Sequence, residues 1–298
     1  MMKNISVIIP IYNAEKYLSF LFEALDANDF IGGDEILLID NGSSDLSMLL
    51  CQEKVNELPS LYKLFQYKDK AGSYAARNFG VQQAKGEILV FTDSDTKPVT
   101  RWVDTIRNEL SYGMVIAGKI QLEIENNGLW EHFDNIAHLN SEANALTNRV
   151  ATANMAVHRS DYFKVGLFEE RYSGGDYEWS TRAYAAGLRI VFNDQVMVYH
   201  PTRKSFKQIL TKERRIAYGT GNHYRLQNKS YVTLVMIFLL KIFKFDTNYR
   251  YLSNLKKVGM NKSQLKEFNC SFMKIRIEQL KYAIAGFKMI DVRKLGIK

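Results

Sequence analysis

A chain of 298 residues, 46% hydrophobic and 24% charged, has the composition of a globular protein and not of a fibrous or disordered one. Its two cysteines, Cys51 and Cys270, lie far apart and outside any C-x-x-C or Cys/His grouping, which argues against a disulfide framework or a zinc site. The net charge of +8 hides an asymmetry: residues 203–298 hold 22 basic and 5 acidic side chains, against 18 and 27 in residues 1–202. The basicity therefore belongs to one C-terminal segment, which points to an anionic surface met by that segment.

Residues 5–9 form a β-branched run ended by Pro10, which reads as a buried strand of a parallel sheet. Strand-like sequence this early leaves no room for a secretory leader, so a cytoplasmic location is expected. Residues 14–27 read as a helix, and 35–39 as a second strand closed by Asp40-Asn41-Gly42. Residues 73–85 have helical composition, and the apolar run 88–91 is closed by Asp93-Ser94-Asp95. This β-α-β-α-β alternation predicts an α/β fold with a doubly wound sheet and ligand sites at the carboxyl ends of its strands. The polar turns 10–13, 40–45 and 93–95 then share one edge of the sheet, the predicted nucleotide site. Further on, 114–122 and 152–158 read as strands, 178–186 as a helix and 189–199 as a last strand. Helices dominate from Ser205 onwards. Only four prolines occur and no linker-like stretch interrupts the chain, which suits one compact body with an appendage.

Asp93 and Asp95, one residue apart on a turn, suit a hard cation that bridges diphosphate oxygens, although acidic turns after strands also serve as caps and Asx turns. His200, between an apolar strand and Pro201, suits a third metal ligand or equally a buried structural histidine. Asp176 follows Gly174-Gly175 and opens a helix. It fits both a helix cap and a general base that deprotonates a sugar hydroxyl. Arg77 suits either a phosphate or base contact or a solvated helix charge, and Gly72 precedes it at an anion-favouring helix N-terminus.

These segments together resemble the family 2 glycosyltransferases of the GT-A fold over about the first two hundred residues. Ser6-Val7-Ile8-Ile9-Pro10-Ile11-Tyr12-Asn13 is similar to the family's first strand and P-x-Y-N turn, and Leu38-Ile39-Asp40-Asn41-Gly42-Ser43-Ser44-Asp45 to its V-D-D/N-G-S-x-D loop. Gly72 through Asn78 is similar to G-x-x-x-A-R-N, Gly86-Glu87 to the G-E before the third strand, and Asp93-Ser94-Asp95 to the D-x-D.

The resemblance implies a GT-A type, mostly parallel doubly wound sheet with a mainly helical C-terminal extension. Residues 1–100 would be the nucleotide-sugar-binding half, 101–202 the acceptor-binding and catalytic half, and 203–298 the basic helical region. Pro10, Tyr12, Asn13, Asp40, Asn41 and Arg77 would surround the base and ribose, with Asp93 on the sugar nucleotide. Asp95 and His200 would hold a divalent Mn²⁺ or Mg²⁺. Asp176 would be the general base of an inverting transfer, with Gly175, Glu178, Trp179 and Arg182 around the acceptor or behind it. Gly175 departs from the family, which usually has Glu there, and Asn41 makes the nucleotide's base less certain: UDP first, dTDP second.

The expected reaction moves one sugar from a nucleotide-sugar to a glycan or lipid-linked glycan acceptor in cell-surface polysaccharide synthesis. The alternative suggested by Gly175 and Asn41 is a catalytically impaired sugar-nucleotide-binding or scaffold protein. A processive synthase would bring several membrane spans and a Q-x-x-R-W segment, and neither is present: the apolar run 231–240 has ten residues and ends at Lys241. No nucleic-acid motif accompanies the basic segment. Tyr231 to Phe245 is apolar on nearly every side, and Met273, Ile277, Leu280, Ile284 and Phe287 repeat at helical spacing beside Lys274, Lys281 and Lys288. Residues 203–298 are therefore expected to dock an anionic membrane surface peripherally, against the plain reading that these stripes pack on the catalytic domain.

Overall fold

The computed structural model describes residues 3–295, so the outermost residues of the first and third predicted segments, 1–2 and 296–298, lie outside the described residues. In chain order the first half runs β1 (Ile5–Ile11), α1 (Glu15–Asp26), β2 (Glu35–Asp40), α2 (Ser47–Glu57), β3 (Tyr62–Gln66), α3 (Ser73–Gln83), β4 (Ile88–Thr92), β5 (Lys97–Pro98), α4 (Trp102–Glu109) and β6 (Met114–Glu123). It continues with α5 (Leu129–Ala137), α6 (Ser141–Ala145), β7 (Asn154–His158), α7 (Arg159–Val165), α8 (Gly175–Ala185) and β8 (Arg189–Pro201). The helices α9 (Phe206–Leu226), α10 (Tyr231–Phe243), α11 (Phe245–Lys257) and α12 (Lys262–Phe287) follow. The chain divides into two compact units: residues 1–123, 139–170 and 175–201 form the first, and 124–138, 171–174 and 202–298 the second. The segment 124–138, expected within the catalytic half, thus packs with the C-terminal helices.

The first unit is built on one mixed, mostly parallel sheet of order β3-β2-β1-β4-β7-β6-β8-β5. Strands β1 to β4 run parallel, with Ile8 opposite both Leu37 and Phe91, while β7 is antiparallel to β4 and β6. A central parallel strand buries both faces, and β1 obeys this by alternation. Ile5, Val7, Ile9 and Ile11 pack with Leu18, Leu21 and Leu25 of α1 and Trp102 and Ile106 of α4. Ile8 packs on the opposite face with Ala76 and Val81 of α3 and with Phe168 and Trp179. Strand β1 extends through Pro10, past the last β1–β4 pair, so the missing proline N–H breaks no ladder on that side. The register shift after Gly118 leaves His200 opposite Leu122 at the end of β8.

In the second unit α9 and α12 cross closely through small residues. A Cβ on Gly221 would lie 2.8 Å from the Ala283 carbonyl carbon, and one on Gly286 2.8 Å from that of Tyr218. The buried seam of α12 runs through Phe268, Phe272, Ile275, Gln279, Ala283 and Gly286. The stripe expected to be its apolar face lies one residue round the helix, with Met273 and Ile277 exposed. In α10, Leu234 and Phe238 are buried beside Ala217 and Ala283, whereas Val232, Met236, Leu240 and Phe243 face outward.

Candidate active site

Strand ends β1, β2 and β4 bring the three polar turns to one edge of the sheet. The first two are fastened together. Asn13, at φ 49°, accepts the Ser44 N–H on Oδ1 at 2.8 Å, and its own N–H donates to Ser43 Oγ at 3.0 Å. Asp45 accepts from the Glu15 N–H that opens α1, while Glu15 accepts from the Leu46 N–H that precedes α2. Each turn therefore caps the other's helix. Asp40 is buried and accepts from the N–H groups of Gly42 and Ser43 at 3.1 and 3.2 Å, an Asx turn that sets the second loop. Tyr12 projects from this edge, 59% exposed, as a flat ring that a base can stack on.

Asn41 organises the loop ahead of α3. Its Nδ2 donates to the carbonyls of Tyr67 and Lys70 at 2.7 and 2.9 Å, and its Oδ1 accepts from the Gly72 N–H at 2.7 Å. Only an amide supplies donors to two carbonyls and an acceptor to an N–H from one side chain. The residue that lacks a charge is thus fitted to its loop. Gly72, at φ 133°, takes a backbone conformation open to glycine and leads into α3.

Arg77 of α3 is buried and forms an ion pair with Asp93, while its Nε has no hydrogen-bond partner. That leaves a buried cationic donor beside the strand ends, as binding of an anion requires. The Asp93–Asp95 turn is pinned from behind: Thr96 Oγ1 donates to the Asp93 carbonyl at 2.8 Å and lies 2.7 Å from Thr92 Oγ1. Carboxylate oxygens of Asp93 and Asp95 and a ring nitrogen of His200 lie within 4.8 Å of one another. His200 Nδ1 is 2.8 Å from the Pro201 carbonyl, which can only accept, so Nδ1 donates there and Nε2 faces Asp95 Oδ1, 3.5 Å away. Two carboxylates and an imidazole whose ring is oriented by the Pro201 carbonyl fit a divalent cation. Among the described residues, this is the grouping of three such side chains close enough to share an ion.

Asp176 lies in the first turn of α8. Its Oδ1 accepts from Tyr74 Oη at 2.9 Å and from the Tyr177 N–H at 3.0 Å. Burial pushes its pKa up from the ordinary aspartate value, and the hydrogen bonds from Tyr74 and Tyr177, the charge of Arg77 and the Thr152 backbone oppose that shift. A carboxylate poised in this way suits proton abstraction. Asp176 is tied to the donor side through α3: the Arg77 guanidinium stands 5.8 Å from the centre of the Tyr74 ring and pairs with Asp93.

The other residues expected near the acceptor sit behind the site. Trp179 is fully buried, donates to the Gly166 carbonyl at 2.7 Å and stacks on Tyr162. Arg182 grips both Glu178 oxygens and donates to the carbonyls of Val165 and Leu167, so the pair clamps the loop before α8. At Gly175 a Cβ would lie 2.9 Å from both the Glu169 carbonyl oxygen and Tyr74 Cε2. Sequence reading overlooked Tyr74, and the clue it left was the missing side chain at Gly175.

Known proteins resemble the chain in sequence and in fold. Glycosyltransferase AglE of Haloferax volcanii is 31% identical over 221 residues, 72% of either chain. In fold, the chain is similar to the mannosyltransferase PcManGT of Pyrobaculum calidifontis in complex with GDP-Man and Mn²⁺, with a TM-score of 0.66 at 14% identity over 98% of this chain and 89% of that one. It is also similar to Staphylococcus aureus TarS 1–349 in complex with UDP-GlcNAc, with a TM-score of 0.54 at 17% identity over 98% and 92% of the two chains. Residues 6–247 match the sequence model of glycosyl transferase family 2, and with that match across most of its length the chain belongs to this family of glycosyltransferases.

Proposed function

We propose that the chain transfers a single sugar, with inversion, from a nucleotide-sugar to a glycan or lipid-linked glycan acceptor in cell-surface polysaccharide synthesis. The observation that carries this reading is the chain of contacts Asp176–Tyr74–Arg77–Asp93, which joins a carboxylate of raised pKa to the predicted diphosphate site. Asp176 takes the proton from the acceptor hydroxyl as that oxygen attacks the anomeric carbon opposite the leaving nucleotide. Tyr12, the Asp40 loop and Arg77 receive the base and ribose, with Asp93 on the sugar nucleotide. A divalent cation held by Asp95, His200 and Asp93 would neutralise charge developing on the departing diphosphate. A uridine nucleotide is the first choice, in keeping with the UDP-GlcNAc bound by TarS, and dTDP the second.

The acceptor side includes an anionic membrane surface. In support, α10 turns Val232, Met236, Leu240 and Phe243 outward, with Lys229, Lys241 and Lys244 on its flanks. No helix among the described residues is long and apolar enough to cross a membrane, so contact through this face would be peripheral.

The test is a screen of UDP- and dTDP-sugars for hydrolysis and transfer with and without Mn²⁺ or Mg²⁺, run on the native chain and on Asp176→Asn. Native turnover with one donor, reduced about a hundredfold or more in Asp176→Asn with UDP binding retained, is expected. An Asp176→Asn protein that turns over near the native rate would overturn the base assignment.

A further inference from the structure

Tyr74 lies on the first turn of α3, its ring buried between Phe168 and the Arg77 guanidinium, each 5.8 Å away. Its hydroxyl crosses to α8 and reaches the Asp176 carboxylate, 102 residues along the chain. Among the described residues that hold this carboxylate by hydrogen bonds, Tyr177 and Thr152 act through the main chain and Tyr74 through its side chain. The ring also occupies the space that any side chain at position 175 would need, since a Cβ there would stand 2.9 and 3.0 Å from Tyr74 Cε2 and Cδ2.

We infer that Tyr74 is a positioning residue for Asp176, its hydroxyl holding the carboxylate in one orientation toward the acceptor, and that Gly175 is the residue that makes room for it. This rests on Asp176 being the base. A phenol is suited to the task. Burial and the neighbouring Asp176 charge push its own pKa up, so it stays a hydrogen-bond donor throughout the working pH range. A donor to the ionised carboxylate lowers the Asp176 pKa against the effect of burial, so removing it raises that pKa. Among the described residues, the other titratable or charged groups facing Asp176 are Arg77 from α3 and Tyr177 from α8, and Tyr177 in turn faces Arg149. Replacement of Tyr74 by phenylalanine leaves all three in place.

The experiment compares Tyr74→Phe with the native chain, using the UDP-sugar that the donor screen identifies and Mn²⁺. The expected result is a kcat about tenfold lower or more, the scale of a lost hydrogen bond to a charged group. Donor KM stays within about twofold, and the acid limb of the kcat profile moves to higher pH by about one unit. The thermal midpoint, measured alongside, tells a structural loss from a positioning one. Gly175→Ala keeps the hydroxyl but crowds both the ring and the Glu169 carbonyl, so it should show the same lowered kcat, and with a native thermal midpoint it replaces Tyr74→Phe should that variant fail to fold. If Tyr74→Phe keeps the native kcat and acid limb while Asp176→Asn is inactive, the positioning role is refuted and the base assignment stands. If Asp176→Asn is itself active, both fall.

Discussion

Asn41→Asp is a near-isosteric change that adds a charge, and the structure predicts that it is harmful here. The native amide donates to the Tyr67 and Lys70 carbonyls and accepts from the Gly72 N–H. A carboxylate keeps the bond to Gly72, loses both donors and turns an anionic oxygen toward two carbonyls. Each lost hydrogen bond is worth about 1 kcal/mol, so the 67–72 loop loses about 2 kcal/mol or somewhat more, roughly a thirtyfold shift toward its open form. That loop delivers Gly72 and the start of α3, which carries Arg77. UDP affinity by calorimetry is therefore expected to fall by up to about thirtyfold, while hydrogen exchange at residues 67–72 accelerates and the global unfolding midpoint moves little. Unchanged exchange at 67–72 together with unchanged UDP affinity would refute the reasoning, since the amide would then be dispensable to the loop.

Asp95→Ala and His200→Ala are each expected to weaken Mn²⁺-dependent UDP binding about tenfold or more in calorimetric titrations, and an unchanged metal dependence in His200→Ala would make that residue structural. In the second unit, burial opposes ionisation of Asp134, yet the hydrogen bond from His138 and the charges of Lys212 and Arg203 outweigh it and hold the carboxylate below its ordinary 3.8. Its contribution to stability is present above that unfolded value and is lost as pH falls through the lower folded one, so Asp134→Asn should cost about 3–5 kcal/mol in urea unfolding at pH 7 and progressively less below pH 4. The chain is expected to sediment with anionic vesicles, to be released by high salt and to ignore neutral vesicles, each basic group near the surface contributing about 1 kcal/mol. Equal binding to both vesicle types, or no loss on deleting residues 230–298, would remove the membrane claim.

The parallel half of the sheet was legible because its signal is local. β1, β2 and β4 are mainly apolar runs closed by polar turns, and with both faces buried the polar residues in them are confined to Ser6 and to the strand ends Glu35, Asp40 and Thr92. β3 and α2 escaped notice. Tyr62–Gln66 mixes polar and apolar residues at the edge of the sheet, and in Ser47–Glu57 only Ser47, Cys51 and Lys54 are buried. α12 misled for a different reason: its closest contacts with α9 are made where side chains are absent, at Gly221 and Gly286, so large apolar residues do not mark the seam. The segment 124–138 could not be assigned to the helical unit because Trp130 and Phe133 of α5 meet Phe268 more than 130 residues later.

The same distinction between local and distant signals runs through the site. Asp93 and Asp95 are one residue apart and His200 precedes a proline, so their chemistry is visible in short strings. The partners that make each residue usable are remote: Asn13 fastens a loop 31 residues on, Asn41 one 26 to 31 residues on, and Tyr74 a carboxylate 102 residues on. Two variations on the motifs that the chain resembles, Asn41 and Gly175, suggest the alternative of an impaired protein. In the fold each departure is matched by a neighbour, the carbonyls of Tyr67 and Lys70 in one case and the Tyr74 ring in the other. The glycine at 175, where the resemblance implies Glu, is therefore evidence about what fills the space beside it, and here what fills it reaches the proposed base.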